Sequence, residues 1–263
     1  MTRTAIVTAS DSGIGKATAV ALAQAGFDVG VTWHHDEAGA RSTAEEVRAA
    51  GRRAEVRRLD LEQLPGAVDV VDQLADALGG TLWAFVSNAG GGGGGPLLDL
   101  PYEEWRTRMS VNLDGAFLGI QRAARRMVEA GAGGRIVAVT SVHEHQPRVG
   151  ATDYVAAKHG LGGLVKNAAL ELGQHGITVN AVAPGEIATP LTGNEDVDPA
   201  TQRRPGVPLG RVGDAREMAA VIAFLCSDAA SYITGSSYVA DGGMLQMGPQ
   251  AGSHLPSDDW REG

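Results

Sequence analysis

Apolar positions along the chain follow two alternating rhythms. Short runs, apolar on nearly consecutive residues, recur at TAIVTA (4–9), FDVGVTW (27–33), AEVRRLD (54–60), TLWAFVS (81–87), GRIVAVTS (134–141), GITVNAVAP (176–184) and SSYVADGG (236–243). Consecutive apolar residues suit strands covered on both faces. Between the first six runs, and again before the seventh, apolar residues fall three and four apart, the spacing of a helix with one buried face. The alternation predicts an α/β fold with a seven-stranded parallel sheet and helices on both faces. The two longest helical intervals, 102–131 and 153–176, both end in glycine, a common helix stop.

Two stretches break the rhythm. One is a run of glycines from Gly90 to Gly95; the other is a long, proline-containing segment over 185–214. Both follow strand ends, where open α/β sheets bind ligands. The segment 190–213 reads as a substrate lid, 1–243 as a single dinucleotide-binding and catalytic domain, and 244–263 as a polar C-terminal tail.

Composition narrows the partners. The 263 residues carry 22 basic and 31 acidic side chains, a net charge of -9, which opposes long polyanions. Nucleic acid and anionic membranes are therefore not expected as partners. No apolar run reaches membrane-spanning length and no basic-then-apolar leader opens the chain, so a soluble cytoplasmic protein is expected. The one cysteine, Cys226, excludes an intrachain disulfide, and its apolar helical context predicts a buried packing role.

Candidate chemistry begins at TASDSGIG, Thr8–Gly15, between the first strand and a helix closed by Gly26. A glycine-rich turn in that place presents backbone N–H groups to a pyrophosphate. Ala9 stands where a glycine would ease the turn, and it serves if its φ stays negative. An ordinary strand-to-helix turn is the alternative for this stretch taken alone.

A second constellation lies farther on. Tyr154 and Lys158 stand four apart on a helix and so share a face. A phenol has a reference pKa of about 10, and a nearby ammonium lowers it, so Lys158 is expected to tune Tyr154 toward working pH. Ser141 ends the preceding strand, where its hydroxyl can meet the same substrate oxygen. Without the surrounding motifs, Tyr154 and Lys158 would equally suit a surface pair on a core helix.

Taken in order, TASDSGIG, SNAG (87–90), SVN (110–112), Ser141, YVAAK (154–158) and PGEIAT (184–189) resemble the short-chain dehydrogenase/reductase family from Thr4 to about Gly243. The resemblance implies a doubly wound Rossmann fold and hydride transfer between a nicotinamide and a carbonyl or alcohol. It implies that Tyr154 exchanges the proton, Ser141 orients the substrate oxygen, Lys158 also binds the nicotinamide ribose, and Asn112 holds a water relay behind the lysine. Cofactor contacts carried over are Thr8, Ser10, Ser12, Gly13, Ile14 and Gly15 of the loop; Trp33, His34 and His35; Asp60 and Leu61; Asn88, Ala89 and Gly90; Tyr154 and Lys158; and Pro184, Gly185, Ile187 and Thr189. Asp60 and Asn88 also suit turn or cap roles.

NAD-selective folds place an acid about 20 residues beyond the loop. Trp33 stands there instead, and the acids Asp36 and Glu37 open the next helix. Without a repelling carboxylate, NADP(H) is favoured slightly over NAD(H), with His34 or His35 donating to a 2′-phosphate. Neither has the fork of an arginine, and Lys16 reads as a solvated helix residue.

On the substrate side, VHEH places His143, Glu144 and His145 at the expected pocket mouth. His143 reads as a pocket wall or hydrogen-bonding group rather than a metal ligand, since zinc needs a third protein ligand; no metal is expected. Glu186 is expected to read a hydroxylated substrate or to face solvent. TASDSGIG with SVHEH resembles bacterial reductases near the acetoin or diacetyl reductases and sugar dehydrogenases, which implies small polar ketones, diketones or polyols. A non-catalytic dinucleotide sensor and a cofactor-retaining dehydratase or epimerase are the alternatives. The family resemblance further implies a homotetramer.

Overall fold

The computed structural model describes residues 2–92, 94–193 and 198–247. Strands β1 (Arg3–Val7), β2 (Asp28–Trp33), β3 (Ala54–Arg58), β4 (Thr81–Ser87), β5 (Gly134–Val139), β6 (Ile177–Pro184), the two-residue β7 (Ile187–Ala188) and β8 (Gly213–Asp214), and β9 (Ser237–Ala240) alternate with helices. These are α1 (Gly13–Gln24), α2 (Glu37–Ala49), α3 (Val70–Leu78), α4 (Tyr102–Met109), α5 (Gly115–Ala130), α6 (Thr152–Leu172) and α7 (Ala215–Cys226). The seven expected runs form one sheet in the order β3-β2-β1-β4-β5-β6-β9, parallel at every pairing. β7 and β8 form a separate small pair that was not expected from the sequence.

The strands read as apolar runs because both faces are covered. One core, with Leu22, Val29, Ala44, Ile222 and Cys226, lies under α1, α2 and α7. The other, with Ile6, Leu74, Phe85, Ile120 and Leu161, lies under α3, α5 and α6. Cys226 is fully buried, as expected. The chain leaves β1 toward β2 and β3, then returns to β4 on the other side. This reversal opens a crevice at the carboxyl ends of β1 and β4, the ligand position of doubly wound sheets.

The helix expected over 102–131 is not regular. Between α4 and α5, Ser110–Asp114 form a π-helical turn, which buries Asn112 completely. Such turns insert a residue into a helix and are frequent at functional sites. The tail expected over 244–263 begins as a 3₁₀ turn, Met244–Gln246, and lies outside the described residues from 248 onward.

Candidate active site

The β1–α1 loop is fixed from two sides. Ala9 N–H donates to Thr32 Oγ1 at 2.9 Å, and Ser10 Oγ both donates to Val7 O and accepts from Thr32 N. From the other side, the Asn88 amide donates to Thr8 O and Ala9 O, each at 3.0 Å. Thr8 Oγ1 accepts from the N–H groups of Asn88 and Ala89. Thr8 and Ser10 are buried, so these two expected contact residues act as supports, their hydroxyls engaged within the fold.

Ala9 departs from the sequence expectation, with φ at 48°. Its φ is not negative; the tight turn imposes the left-handed region that disfavours a Cβ. Gly15 then lets α1 pass under the loop, since a Cβ there would overlap the Ala9 carbonyl. Ser12 makes no side-chain cap, and the first turn of α1 carries no acid. Its N–H groups thus remain suited to an anion, an arrangement that fits a dinucleotide pyrophosphate.

A cleft runs from this helix start across the sheet. Ser12, Gly13 and Ile14 line one end; Asn88 and Gly90 follow at the β4 end, and Ser141, Tyr154 and Lys158 face them. Pro184, Gly185, Ile187 and Thr189 close the far wall. Ala9 of the expected loop, and Pro190, Leu191 and Thr192 of the segment expected as a lid, also line it, as do Asp11, Val139 and Thr140, which sequence reasoning missed. Leu191 had a signal, since it follows a strand end within the expected lid. Val139 and Thr140 read simply as the strand interior.

Lys158 is buried and its Nζ donates to Val139 O at 3.1 Å. Burial pushes its ammonium down to about 8, against the opposing charge of Glu144. The expected lowering of Tyr154 by Lys158 is not what this arrangement produces. Burial pushes the phenol up, while the Ser141 hydroxyl and Arg148 pull it back. The lysine Nζ lies 5.5 Å from the phenol ring centre, and its own desolvation weakens its hold on a charge. Asn112 accepts from Gly91 N at 3.2 Å and donates to Arg108 O at 3.2 Å, behind the lysine's side of the site.

The residues expected on the adenosine side gather elsewhere. His34 Nε2 lies 3.3 Å from Asp60 Oδ1, and the His34 and His35 ring centres are 3.7 Å apart. Arg58 was missed, although the β2–β3 register sets it beside Trp33. Its guanidinium donates to Asp60 Oδ2 and His34 O and lies 6.0 Å from the Trp33 ring centre. Leu61 is buried, its carbonyl accepting from Ser110 Oγ. Asp36 caps α2, accepting from Gly39 N. Burial and then nearby Asp36 push the Asp11 carboxyl up, offset by its backbone hydrogen bond and by His34 and His35. Lys16 pairs with Glu46 at 2.8 Å rather than reaching solvent alone.

On the substrate side, His143 presents its ring edge-on to Tyr154 at 6.0 Å, with Nδ1 2.9 Å from Gln146 O. Glu144 is not at the mouth: it is buried, with Thr140 and Ser237 hydroxyls on one oxygen. Glu186 does not line the cleft of Ser141 and Tyr154; it lines a separate cavity with Val207, Leu209 and Arg211. Arg204 Nε approaches both its oxygens at 2.9 Å and Nη2 one of them at 2.6 Å, tying the turn after β6 to the segment expected as a lid. Among the described residues, no three His, Cys, Asp or Glu side chains gather as a metal site, and no helix is long and apolar enough to cross a membrane.

A family model described as Enoyl-(Acyl carrier protein) reductase matches residues 8–245. The chain is 51% identical over 250 residues to "Uncharacterized oxidoreductase YohF" of Escherichia coli strain K12, covering 95% of this chain and 98% of that one. It is 36% identical over 244 residues to "L-rhamnose 1-dehydrogenase (NAD(P)(+))" of Sphingomonas sp. strain SKA58, covering 92% and 96%. Among solved structures, acetoin dehydrogenase YohF from Salmonella typhimurium superposes with a TM-score of 0.90 at 50% identity, covering 95% of this chain and 98% of that one.

Proposed function

Because the chain belongs to the short-chain dehydrogenase/reductase family, whose members use NAD(P), we propose that this oxidoreductase interconverts small ketones or diketones and their secondary alcohols. The observation that carries the reading is the convergence of Ser141, Tyr154 and Lys158 on one cleft that begins at the α1 amino terminus. A bound nicotinamide supplies or accepts the hydride. Tyr154 gives its phenolic proton to the carbonyl oxygen in reduction and takes it back in oxidation. Ser141 donates to the same oxygen and holds it against the phenol. Lys158 binds the ribose, the Ser141 hydroxyl and Arg148 favour the phenolate formed on proton transfer, and Asn112 supports the proton path behind the lysine.

The substrate class is argued from the site and its relatives together. The Salmonella relative is an acetoin dehydrogenase and the Sphingomonas relative an L-rhamnose 1-dehydrogenase, so diacetyl, acetoin and aldoses form the assay panel. The segment 190–213, of which 194–197 lie outside the described residues, acts as the lid, anchored by Glu186 and Arg204. NADP(H) is preferred slightly over NAD(H), with Arg58 supplying the fork that the histidines lack; Asp11 works against it by repelling a 2′-phosphate.

The protein assembles as a homotetramer, with the exposed apolar groove between α5 and α6, lined by Phe117, Val128 and Leu164, as one of its interfaces. Light scattering that reads a monomer at micromolar concentration would sink that assembly. Steady oxidation of NADPH or NADH with one of the panel substrates tests the activity. Tight cofactor binding without turnover on any of them would favour a dinucleotide sensor.

A further inference from the structure

We propose that Glu144 is the buried counter-charge of Lys158, a positioning residue that holds the ammonium from behind the site and fixes the alkaline edge of turnover. The proposal rests on the reading of Lys158 as part of the reacting site.

Geometry carries the argument. Lys158 and Gly162 stand one turn apart on the same face of α6. The absence of a side chain at Gly162 leaves a dent into which Glu144 fits: a Cβ there would come within 2.5 Å of Glu144 Oε1. The carboxylate therefore lies against α6 directly next to the lysine's turn. The end of β5 holds both groups, since Val139 O accepts from Lys158 Nζ at 3.1 Å and Thr140 Oγ1 is 2.6 Å from Glu144 Oε2.

The acid is only 4% exposed at its side chain. Ser237 Oγ donates to Oε2 at 2.9 Å, and His145 Nε2 lies 3.1 Å from that serine oxygen. With the serine proton committed to the carboxylate, the imidazole donates to the serine from Nε2. Two donors serve Oε2, whereas Oε1 has no hydrogen-bond partner among the described residues. A buried acid so incompletely hydrogen-bonded is expensive for packing alone. A buried ammonium nearby gives it a reason to be there.

The other charged groups around the site are accounted for. Tyr154 faces Lys158 from α6 itself. His145 lies 3.7 Å from Glu144 Oε2. Arg148 and His143 act on the Tyr154 side, while Asp153 has Arg108 at 3.9 Å. Glu144 is the charge that opposes the burial-driven fall of the Lys158 pKa.

The test is the pH dependence of kcat/KM for carbonyl reduction by the full-length enzyme, wild type beside Glu144→Gln, Glu144→Asp and Tyr154→Phe. In reduction the phenol must carry its proton and the lysine its charge, so the alkaline limb follows Lys158, near pH 8 in the wild type. Removing the counter-charge moves that limb down by about one pH unit, and Glu144→Asp, which keeps the charge, restores most of the shift. An unmoved limb in Glu144→Gln, with only a lower melting temperature, overturns the proposal and leaves a packing role. If Glu144→Gln does not fold, Gly162→Ala, whose methyl displaces the carboxylate from its place against α6, takes its place. A smaller shift in the same direction supports the proposal and an unmoved limb overturns it. Turnover kept by Tyr154→Phe overturns the reading of the site and the proposal with it. Turnover lost in Tyr154→Phe with the limb unmoved in the Glu144 variants overturns the proposal alone.

Discussion

Ala9 donates its N–H to Thr32 Oγ1 at 2.9 Å while its own backbone stands at φ = 48°. The hydrogen bond, with the Asn88 amide on the Ala9 carbonyl, holds an L-residue where its Cβ is crowded. The left-handed conformation costs about 1–2 kcal/mol for such a residue, and glycine gives back about 0.4–1 kcal/mol in unfolded-chain entropy. Ala9→Gly should therefore stabilise the fold by about 0.5–1 kcal/mol, raising the urea midpoint without changing the slope. A lower midpoint would mean that the alanine methyl contributes packing that outweighs the strain.

Lys158 makes stability depend on pH in a definite direction. Its folded pKa, about 8, lies below the ordinary lysine value of 10.5, so between these values the unfolded chain binds more protons than the folded one. Stability should rise as pH increases through that window, and the burden is full below pH 8. Lys158→Met should lose this rise along with its activity, so the gap in stability between variant and wild type should shift by roughly 2–3 kcal/mol in favour of the wild type as pH rises from 7 toward 10. Denaturant titrations at both ends of the window check this, and a gap independent of pH would remove the lysine from the explanation.

Arg204 should matter to substrate more than to cofactor. Its fork on Glu186 ties the lid segment to the turn after β6. Arg204→Ala should raise the substrate KM by about tenfold through a looser lid and leave the nicotinamide Kd close to wild type. Equal weakening of both would place the ion pair in the cofactor site.

Arg58 should bias the choice of nicotinamide. A guanidinium near a 2′-phosphate gives a charge-assisted contact absent from NADH. Arg58→Ala should lower the NADPH-to-NADH ratio of kcat/KM by about tenfold, with less effect at high salt. An unchanged ratio would leave His34 and His35 as the only candidates for that preference.

The seven strands were legible because each is apolar over several consecutive residues, and Asp36 was legible as a helix opener. That Ser141, Tyr154 and Lys158 line one cleft was legible through order and spacing. What escaped were features set by tertiary contact. The Ala9 dihedral follows from the two strands that lace the loop, the π turn at Asn112 interrupts a periodicity that continues through it, and Glu186 finds its partner eighteen residues away. Glu144 looked like a mouth residue because it follows Ser141 closely, yet the 3₁₀ turn Val142–Glu144 rotates it toward α6. Arg58 was hidden in a run of strand arginines until register set it beside Trp33.

The most direct test of the central claim is initial-rate oxidation of NADPH and NADH with diacetyl, acetoin and aldoses, wild type beside Tyr154→Phe. Loss of the acid-base group should lower kcat by about 10² to 10⁴, with cofactor affinity within a few-fold of wild type. A Tyr154→Phe enzyme that keeps most of its turnover would contradict the assignment of the proton to that phenol.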